Sequence, residues 1–365
     1  MSVFWDDGRN QLELFCNKTR KPSSMEASPF NYFIHPDPDQ MLRVEIGLGF
    51  RRARLKNVYS ILRGKDLDTE EFSEDQRELQ FYILREAQEY TLDLQNWHEF
   101  LKILLRAGYK SSQMISSQMA ILFAQTFYLI GKRDFKVDTH NLRNVIARWF
   151  FMTSLTGRYS SSPESEMEKE LTRLRDVSTA ILFINMLDRI IDDVFTDDYW
   201  KITLPNELAT SSARSPALFA YYAALNLLDA RALFSELKIS ELLDPSSKSY
   251  KAALERHHLF PKAYLNSIGI SEIRETNQIA NYALVEWSDN IQISDSSPGE
   301  YWPKYKVRLK SDDLKQMSYW HALPDNWEKM DYFKFLSSRR IKIANIIKNG
   351  FSTLNTDQYN KTNLK

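Results

Sequence analysis

The sequence predicts an α+β protein that is predominantly α-helical: a helical domain, then a small module of short strands, then C-terminal helices. Ten glycines in 365 residues are few, and long side chains that favour helices are abundant. Apolar residues recur at helical spacing through the first 240 residues. The residue pattern changes after about Leu243, where short runs typical of β-strands occur at 254–260 and 279–287.

Four segments follow from these patterns. Residues 1–40 hold turn-rich strings and are predicted to be irregular. Residues 41–240 form the predicted helical domain, and residues 241–320 form the predicted strand-containing module. Residues 321–365 are expected to be a C-terminal helix with a polar tail, and Gly350 is expected to end that helix.

The helical domain is divided by glycines and turn-forming residues. Serines and a proline at 160–163 suit the first turn of a helix. Apolar spacing predicts helices over residues 75–107, 112–130, 139–155, 163–194 and 216–237.

Composition narrows the class of protein. The chain is 43% hydrophobic and 26% charged, which is ordinary for a globular protein, and its formal net charge is zero. Its one cysteine, Cys16, excludes an internal disulfide and a zinc site built from cysteines. The N-terminus lacks the apolar run of a signal peptide, and the apolar stretch 119–130 is too short to span a bilayer. We therefore expect a cytoplasmic protein without a membrane segment.

The adjacent histidines His257 and His258 are the main chemical anomaly. Neighbouring side chains on a strand point to opposite faces. If the strand ends before Pro261, one imidazole can hold a metal while the other faces a water. Taken alone, adjacent histidines more often have a structural or surface role. The downstream Asn281 and Asn290, nine residues apart, change that balance.

Residues 255–262 (ERHHLFPK), together with the two asparagines, resemble the HNH (His-Me finger) endonucleases. The core of that family is two strands and a helix around one divalent metal, a ββα-metal module. The resemblance implies that His257 is the first metal ligand and His258 the general base. It implies that Asn281 is the structural asparagine of the catalytic core and Asn290 the second metal ligand. The expected cofactor is one Mg²⁺ or Mn²⁺.

These residue types suit phosphodiester hydrolysis. A neutral imidazole can take a proton from water near pH 7. A divalent metal can neutralise developing charge on the phosphate and stabilise the leaving oxygen. The ligands His257 and Asn290 carry no negative charge, so we expect weak metal affinity until phosphate oxygens complete the site.

Several flanking residues are further candidates. Glu255 either supports the metal ligands or is a surface carboxylate, and Lys262 either contacts phosphate or is solvated. Cations after the strand module suit a DNA backbone track: Lys304, Lys306 and Arg308. The basic stretch 41–65 is either a solvated helix face or a phosphate-contacting surface. The Arg339-Arg340 pair is either helix-surface charge or a phosphate contact.

The similarity extends beyond the catalytic core. The C-terminal half of GmrSD-like restriction proteins resembles this chain at residues 148–150 (RWF), 157–160 (GRYS), 255–261 and 321–324 (HALP). These prokaryotic proteins restrict phage or modified DNA. They usually begin with a ParB/sulfiredoxin-like module that hydrolyses nucleotide, but its Asp-Gly-Gln-Gln-Arg signature is absent here. The resemblance implies that such a module is encoded separately or missing from this chain.

Three functions remain open. The first is a metal-dependent DNA endonuclease or nickase that restricts foreign DNA. The second is a catalytically silent helical module of a defence system that binds DNA or a partner. The third is an RNase or a nucleotide-pocket protein, and RNA fits as a substrate because a site of this kind mostly recognises a phosphodiester.

Overall fold

The computed structural model describes residues 6–20, 30–66, 69–245 and 254–359. The described chain is mostly helical with one two-stranded sheet, which confirms an α+β protein that is predominantly α. Two compact units are present. The first comprises Met1–Arg106 and Ile115–Asp193, and the second comprises Ala107–Met114 and Val194–Lys365.

The first unit is helical in its described residues. A 3₁₀ turn, Arg173–Asp176, precedes its last helix. The helices are α1 Asp6–Arg20, α2 Phe30–Phe33, α3 Pro38–Phe50, α4 Leu55–Leu62, α5 Glu74–Thr91, α6 Leu94–Arg106, α7 Gln118–Arg133, α8 Thr139–Leu155, α9 Pro163–Thr172 and α10 Ala180–Val194.

The expectation that residues 1–40 are irregular is wrong for α1 and for the start of α3. Leu12 and Cys16, four residues apart on one face of α1, are both buried. Asp37 caps α3 by accepting from the Gln40 backbone N–H at 2.9 Å. The turn-rich string before α3 is therefore a helix cap, and residues 1–5 and 21–29 lie outside the described part.

The basic stretch 41–65 is largely engaged within its own unit. Arg43 pairs with Glu164, and Arg51 pairs with Asp134. Arg52 lies 3.2 Å from the Glu168 carboxylate, which also accepts from the backbone of residues 53 and 54. These pairs favour a structural role for this stretch over a phosphate-contacting surface.

The second unit combines the sheet with further helices. A π-helical turn, Tyr199–Thr203, leads into it. The helices are α11 Leu204–Glu207, α12 Pro216–Leu227, α13 Ile239–Leu242, α14 Lys262–Ser267, α15 Ile273–Thr276, α16 Trp287–Ile293, α17 Pro298–Lys306, α18 Ser311–Trp320 and α19 Tyr332–Tyr359, and the strands are β1 Leu254–His258 and β2 Tyr282–Glu286.

Several helices differ from the sequence expectation. The segment 163–194, expected as one helix, is divided into α9 and α10 by the 3₁₀ turn at Arg173–Asp176 and the residues that follow it. Helix α12 stops at Leu227 rather than Leu237, because the chain reverses at Asp229 with φ 54° and pairs Arg231 with Lys238 in a short bridge. Helix α19 continues past Gly350. A Cβ on Gly350 would lie 2.6 Å from the Cβ of Ala224, so this glycine permits close packing of α12 and α19 rather than ending a helix.

The two predicted strands are confirmed, and they pair antiparallel. In this register His257 lies opposite Ala283, and His258 lies opposite Tyr282. None of the helices in the described ranges combines the length and apolarity that a bilayer crossing requires.

Candidate functional site

The candidate site lies on β1, β2 and α16. Helix α16 begins at Trp287, directly after β2 ends, and it contacts both strands. This tight connection places Asn290, in the first turn of α16, beside the histidine end of β1. Helices α14 and α15 lie between β1 and β2 in the sequence. Because the two strands pair and α16 contacts both, side chains that are distant in the sequence meet at one edge of the sheet.

His257 is almost fully buried, and its Nδ1 lies 2.9 Å from Oδ1 of Asn290. Asn290 in turn donates from Nδ2 to Glu255 Oε2 at 2.5 Å. The carboxylate accepts only, so it directs the amide nitrogen of Asn290 to itself and the amide oxygen to His257. The structure thus brings together His257, Asn290 and Glu255.

The pKa of His257 is lowered to about 4, mainly by burial and to a smaller extent by the charge of the neighbouring His258, while the bond to Asn290 opposes the shift. The imidazole is therefore neutral at pH 7, with its proton on Nδ1, which donates to the amide oxygen of Asn290, and its lone pair on Nε2. Its Nε2 is buried without a hydrogen-bond partner among the described residues. The ring meets Tyr301 edge to face at 5.7 Å, which fixes its plane.

His258 is half-buried and faces a different partner. Its Nε2 lies 3.0 Å from Oδ1 of Asn277, and its ring lies 4.7 Å from that of Tyr282. Burial lowers the pKa of His258, and the charges of Lys262 and Arg256 add to this, against the bond to Asn277. An amide oxygen only accepts, so Nε2 carries the proton and Nδ1 keeps the lone pair.

Asn281 is fully buried and joins two backbone segments. Its Oδ1 accepts from the Phe260 N–H at 2.8 Å, and its Nδ2 donates to the carbonyls of Phe260 at 3.0 Å and Thr276 at 3.1 Å. It therefore fixes the chain after β1 against the turn before β2. Its contacts are those of a structural residue that holds both histidines in register.

Two residues support the site in ways that the sequence does not predict. Asn277 ends α15, and no spacing rule marks it, because its contact with His258 arises only on folding. Arg339 was expected on a helix surface or on phosphate, and both interpretations are wrong. It is fully buried and donates to the carbonyls of Ala280 and Tyr282, both at 2.8 Å, and to that of His321.

Of the other expected cations, Lys262 interacts with a histidine of the site. Lys262 opens α14, close enough to His258 to lower its pKa. Lys304, Lys306 and Arg308 are exposed at the end of α17 and just after it. The Arg308 guanidinium lies over the Tyr305 ring at 4.5 Å. Solvent-facing cations are available there, without a contact to His257 or His258.

In this structure the contact of His257 Nδ1 with Asn290 Oδ1 is a hydrogen bond that Nδ1–H donates, because an amide oxygen only accepts. A metal held by these two atoms would replace that hydrogen bond, with the imidazole proton moved to Nε2. In an octahedral Mg²⁺ site with bonds of about 2.1 Å, adjacent ligands lie about 3.0 Å apart. The observed separation is 2.9 Å. Within the described ranges no group of three or more His, Cys, Asp or Glu residues could hold a metal. An ion bound here would therefore need water and phosphate oxygens as its remaining ligands.

Comparison with known proteins gives limited further information. No protein-family model matches the chain. The chain is similar to the uncharacterized protein MJ0686 of Methanocaldococcus jannaschii, with 26% identity over 157 residues. The match covers 43% of this chain and 24% of that protein, so the chain corresponds to about a quarter of its relative's length. The chemistry of the site is therefore inferred from its geometry.

Proposed function

We propose that this chain is a metal-dependent DNA endonuclease or nickase of the HNH type that acts in the restriction of foreign DNA. The observation that carries the proposal is the 2.9 Å approach of His257 Nδ1 to Asn290 Oδ1, with His258 at the next position of the same strand. Two uncharged side chains that can bind a metal lie beside a second imidazole, that of His258, which has a different hydrogen-bond partner. That combination suits one-metal phosphodiester hydrolysis.

His257 and Asn290 are the residues that would hold Mg²⁺ or Mn²⁺. When bound, the ion supplies positive charge that stabilises the phosphate oxygens as the bond to the leaving oxygen breaks. Glu255 fixes the Asn290 amide so that its oxygen faces His257. Hydrogen bonds that orient ligands in this way commonly raise metal affinity.

His258 acts as the general base. Its lowered pKa keeps it neutral at pH 7, and its bond to Asn277 leaves the lone pair on Nδ1. Nδ1 takes a proton from a water as the water oxygen attacks phosphorus. The bond from phosphorus to the 3′ oxygen breaks, and that oxygen takes a proton from solvent.

Exposed cations of the second unit would bind the nucleic-acid backbone. Lys262 lies beside His258, and Lys304, Lys306 and Arg308 face solvent in the next helical segment. Phosphate contacts of this kind set position and affinity but not sequence. Target choice would then come from elsewhere, such as a ParB/sulfiredoxin-like nucleotide-hydrolysing module.

A catalytically silent DNA- or partner-binding module is the second candidate. The uncharged ligand pair favours it, because two neutral donors bind a divalent ion weakly without phosphate. The two candidates differ in one outcome, which is whether the protein breaks a phosphodiester bond.

Plasmid cleavage separates them. Supercoiled plasmid, plain and base-modified, is incubated with the protein and Mg²⁺ or Mn²⁺, with a chelator control. We expect relaxed or linear DNA, and a loss of about 100-fold or more in His258→Ala. His98→Ala, in the first unit, is the matched histidine control and keeps wild-type activity. Absence of cleavage on every plasmid would leave the silent binding module as the function.

A further inference from the structure

A cavity of about 530 Å³ lies in the second unit, apart from the histidine site. Helices α17, α18 and α19 and the connecting segment 322–328 contribute its walls. Neither histidine of the candidate site, nor Asn277 or Asn290, lines it. Its volume lies within the range of pockets that hold small organic ligands.

Three lysines from three different helices line the cavity: Lys306, Lys315 and Lys342. Each side chain reaches solvent. The carboxylates Asp325 and Glu328 also line the cavity. With three lysines and two carboxylates, the charged lining residues carry a net charge of +1. Lysines on separate helices that face one space suit an anionic group such as a phosphate.

The cavity also has an aromatic wall. Tyr319 is 42% exposed, and its hydroxyl accepts from Asn349 Nδ2 at 2.9 Å, which fixes the ring. Trp302 and Trp327, edge to face at 5.3 Å, are buried residues that also line the cavity. Inorganic phosphate has no planar group that could stack on these aromatic rings. A nucleobase has one, and it can stack on the exposed tyrosine.

The connecting segment 322–328, which lines the cavity, contains two residues with a left-handed backbone conformation. Ala322 and Asn326 both have left-handed backbones, with φ 54° and 52°. The preceding residue, His321, is fixed through its carbonyl by buried Arg339 at 3.0 Å. Strained backbone of this kind persists when its surroundings enforce it, and it clusters at ligand sites.

We propose that this cavity binds a nucleoside monophosphate, with the base on Tyr319 and the phosphate between Lys306 and Lys342. The amide side chains of Asn326 and Asn345 lie in the same wall and can meet the base edge. The nucleotide is either free in solution or a unit of a bound DNA strand. Tyr301 contacts His257, and Trp302, the next residue, lines the cavity, so α17 links this pocket to the histidine site.

Calorimetric titration of the full chain in chelator tests this site without any cleavage. The probes are the four deoxynucleoside 5′-monophosphates, deoxyribose 5-phosphate and a single-stranded octanucleotide. We expect Lys342→Glu and Tyr319→Ala to weaken nucleotide binding about tenfold or more each, as loss of a charged contact or a stacked base does. Lys334→Glu lies on α19 but outside the cavity, and it should bind as wild type.

The probes distinguish the two sources of the nucleotide. Weakened binding of a free monophosphate supports a free ligand, and weakened binding of the octanucleotide alone supports a unit of a strand. The proposal is overturned if no nucleotide probe binds, if deoxyribose 5-phosphate binds as tightly as the nucleotides, or if both cavity variants bind as wild type. Circular dichroism of the variants checks that these exposed substitutions leave the fold intact. Because no metal is present, failure of this binding leaves plasmid cleavage as a separate question.

Discussion

At the residue scale, the two histidines are given different roles by two asparagines. Asn290 holds the buried His257, and Asn277 holds the half-buried His258. The pair His257-His258 and the positions of Asn281 and Asn290 were identified in the sequence. Asn277 was not, because an amide at the end of a short helix is ordinary until folding brings it within 3.0 Å of an imidazole.

Asn277 provides a test of how His258 is oriented. Substitution Asn277→Ala removes the acceptor that keeps the proton on Nε2, so a smaller fraction of His258 presents Nδ1 to water. We expect the maximal nicking rate to fall about 10- to 100-fold, with DNA affinity unchanged. Asn266→Ala, an exposed amide on α14, is the matched control. Equal rates for Asn277→Ala and wild type would remove Asn277 from the site.

Buried histidines also predict a pH dependence of stability. Burial lowers the pKa of His257 to about 4 and that of His321 to about 3, against 6.5 for free histidine. The unfolded chain therefore binds more protons than the native chain between pH 6.5 and 4. The contribution of these two histidines to the unfolding free energy is therefore greatest above pH 6.5 and is lost as the pH drops through this window. Buried Glu45, whose pKa is raised to about 8 by desolvation, contributes in the opposite direction, so the histidine effect is read from the difference between wild type and a histidine variant.

Urea unfolding at pH 7.5 and pH 5 measures this effect. We expect each histidine to account for roughly 1 to 3 kcal/mol of the loss, on the scale of 1.36 kcal/mol for each unit of pKa. The variant His321→Asn should lose less stability than wild type between the two pH values. An unchanged difference in that variant would show that His321 is not the buried neutral group described here.

At the element scale, local patterns predicted some elements and missed others for identifiable reasons. The helix at 139–155 and both strands follow from residue spacing and strand-forming composition. Helix α1 was missed because its apolar face is narrow, and the early end of α12 was missed because Asp229 adopts a left-handed backbone. The turn-forming residues before α3 are typical of irregular chain, but in the folded protein they form the cap of this helix.

Gly350 lies at a close approach of two helices in the second unit. Substitution Gly350→Ala would place a Cβ 2.6 Å from that of Ala224, so α12 and α19 must separate. We expect a loss of about 1 to 3 kcal/mol of unfolding free energy. Gly299→Ala is the control, because its nearest neighbour lies 4.0 Å away. Denaturant unfolding of both variants compares them, and equal stability would contradict close packing at Gly350.

At the scale of the whole molecule, the division into units differs from the one expected at residue 240. Helix α12 packs against α19, more than 100 residues later, and residues 194–240 therefore belong to the C-terminal unit. Such long-range pairing leaves no local mark in a single sequence. The strand–helix site and the proposed nucleotide cavity consequently lie in the same unit, whereas much of the basic stretch 41–65 is paired in the other.

The central claim is that His257 and Asn290 hold a metal while His258 takes the proton. The most direct test is the initial rate of plasmid nicking as a function of Mn²⁺ concentration, for wild type, Asn290→Ala and His258→Ala. We predict that Asn290→Ala needs about 10- to 100-fold more Mn²⁺ to reach half of its maximal rate, and that His258→Ala lowers the maximal rate without this shift. The claim is contradicted if wild type nicks at no Mn²⁺ concentration, or if both variants follow the wild-type curve.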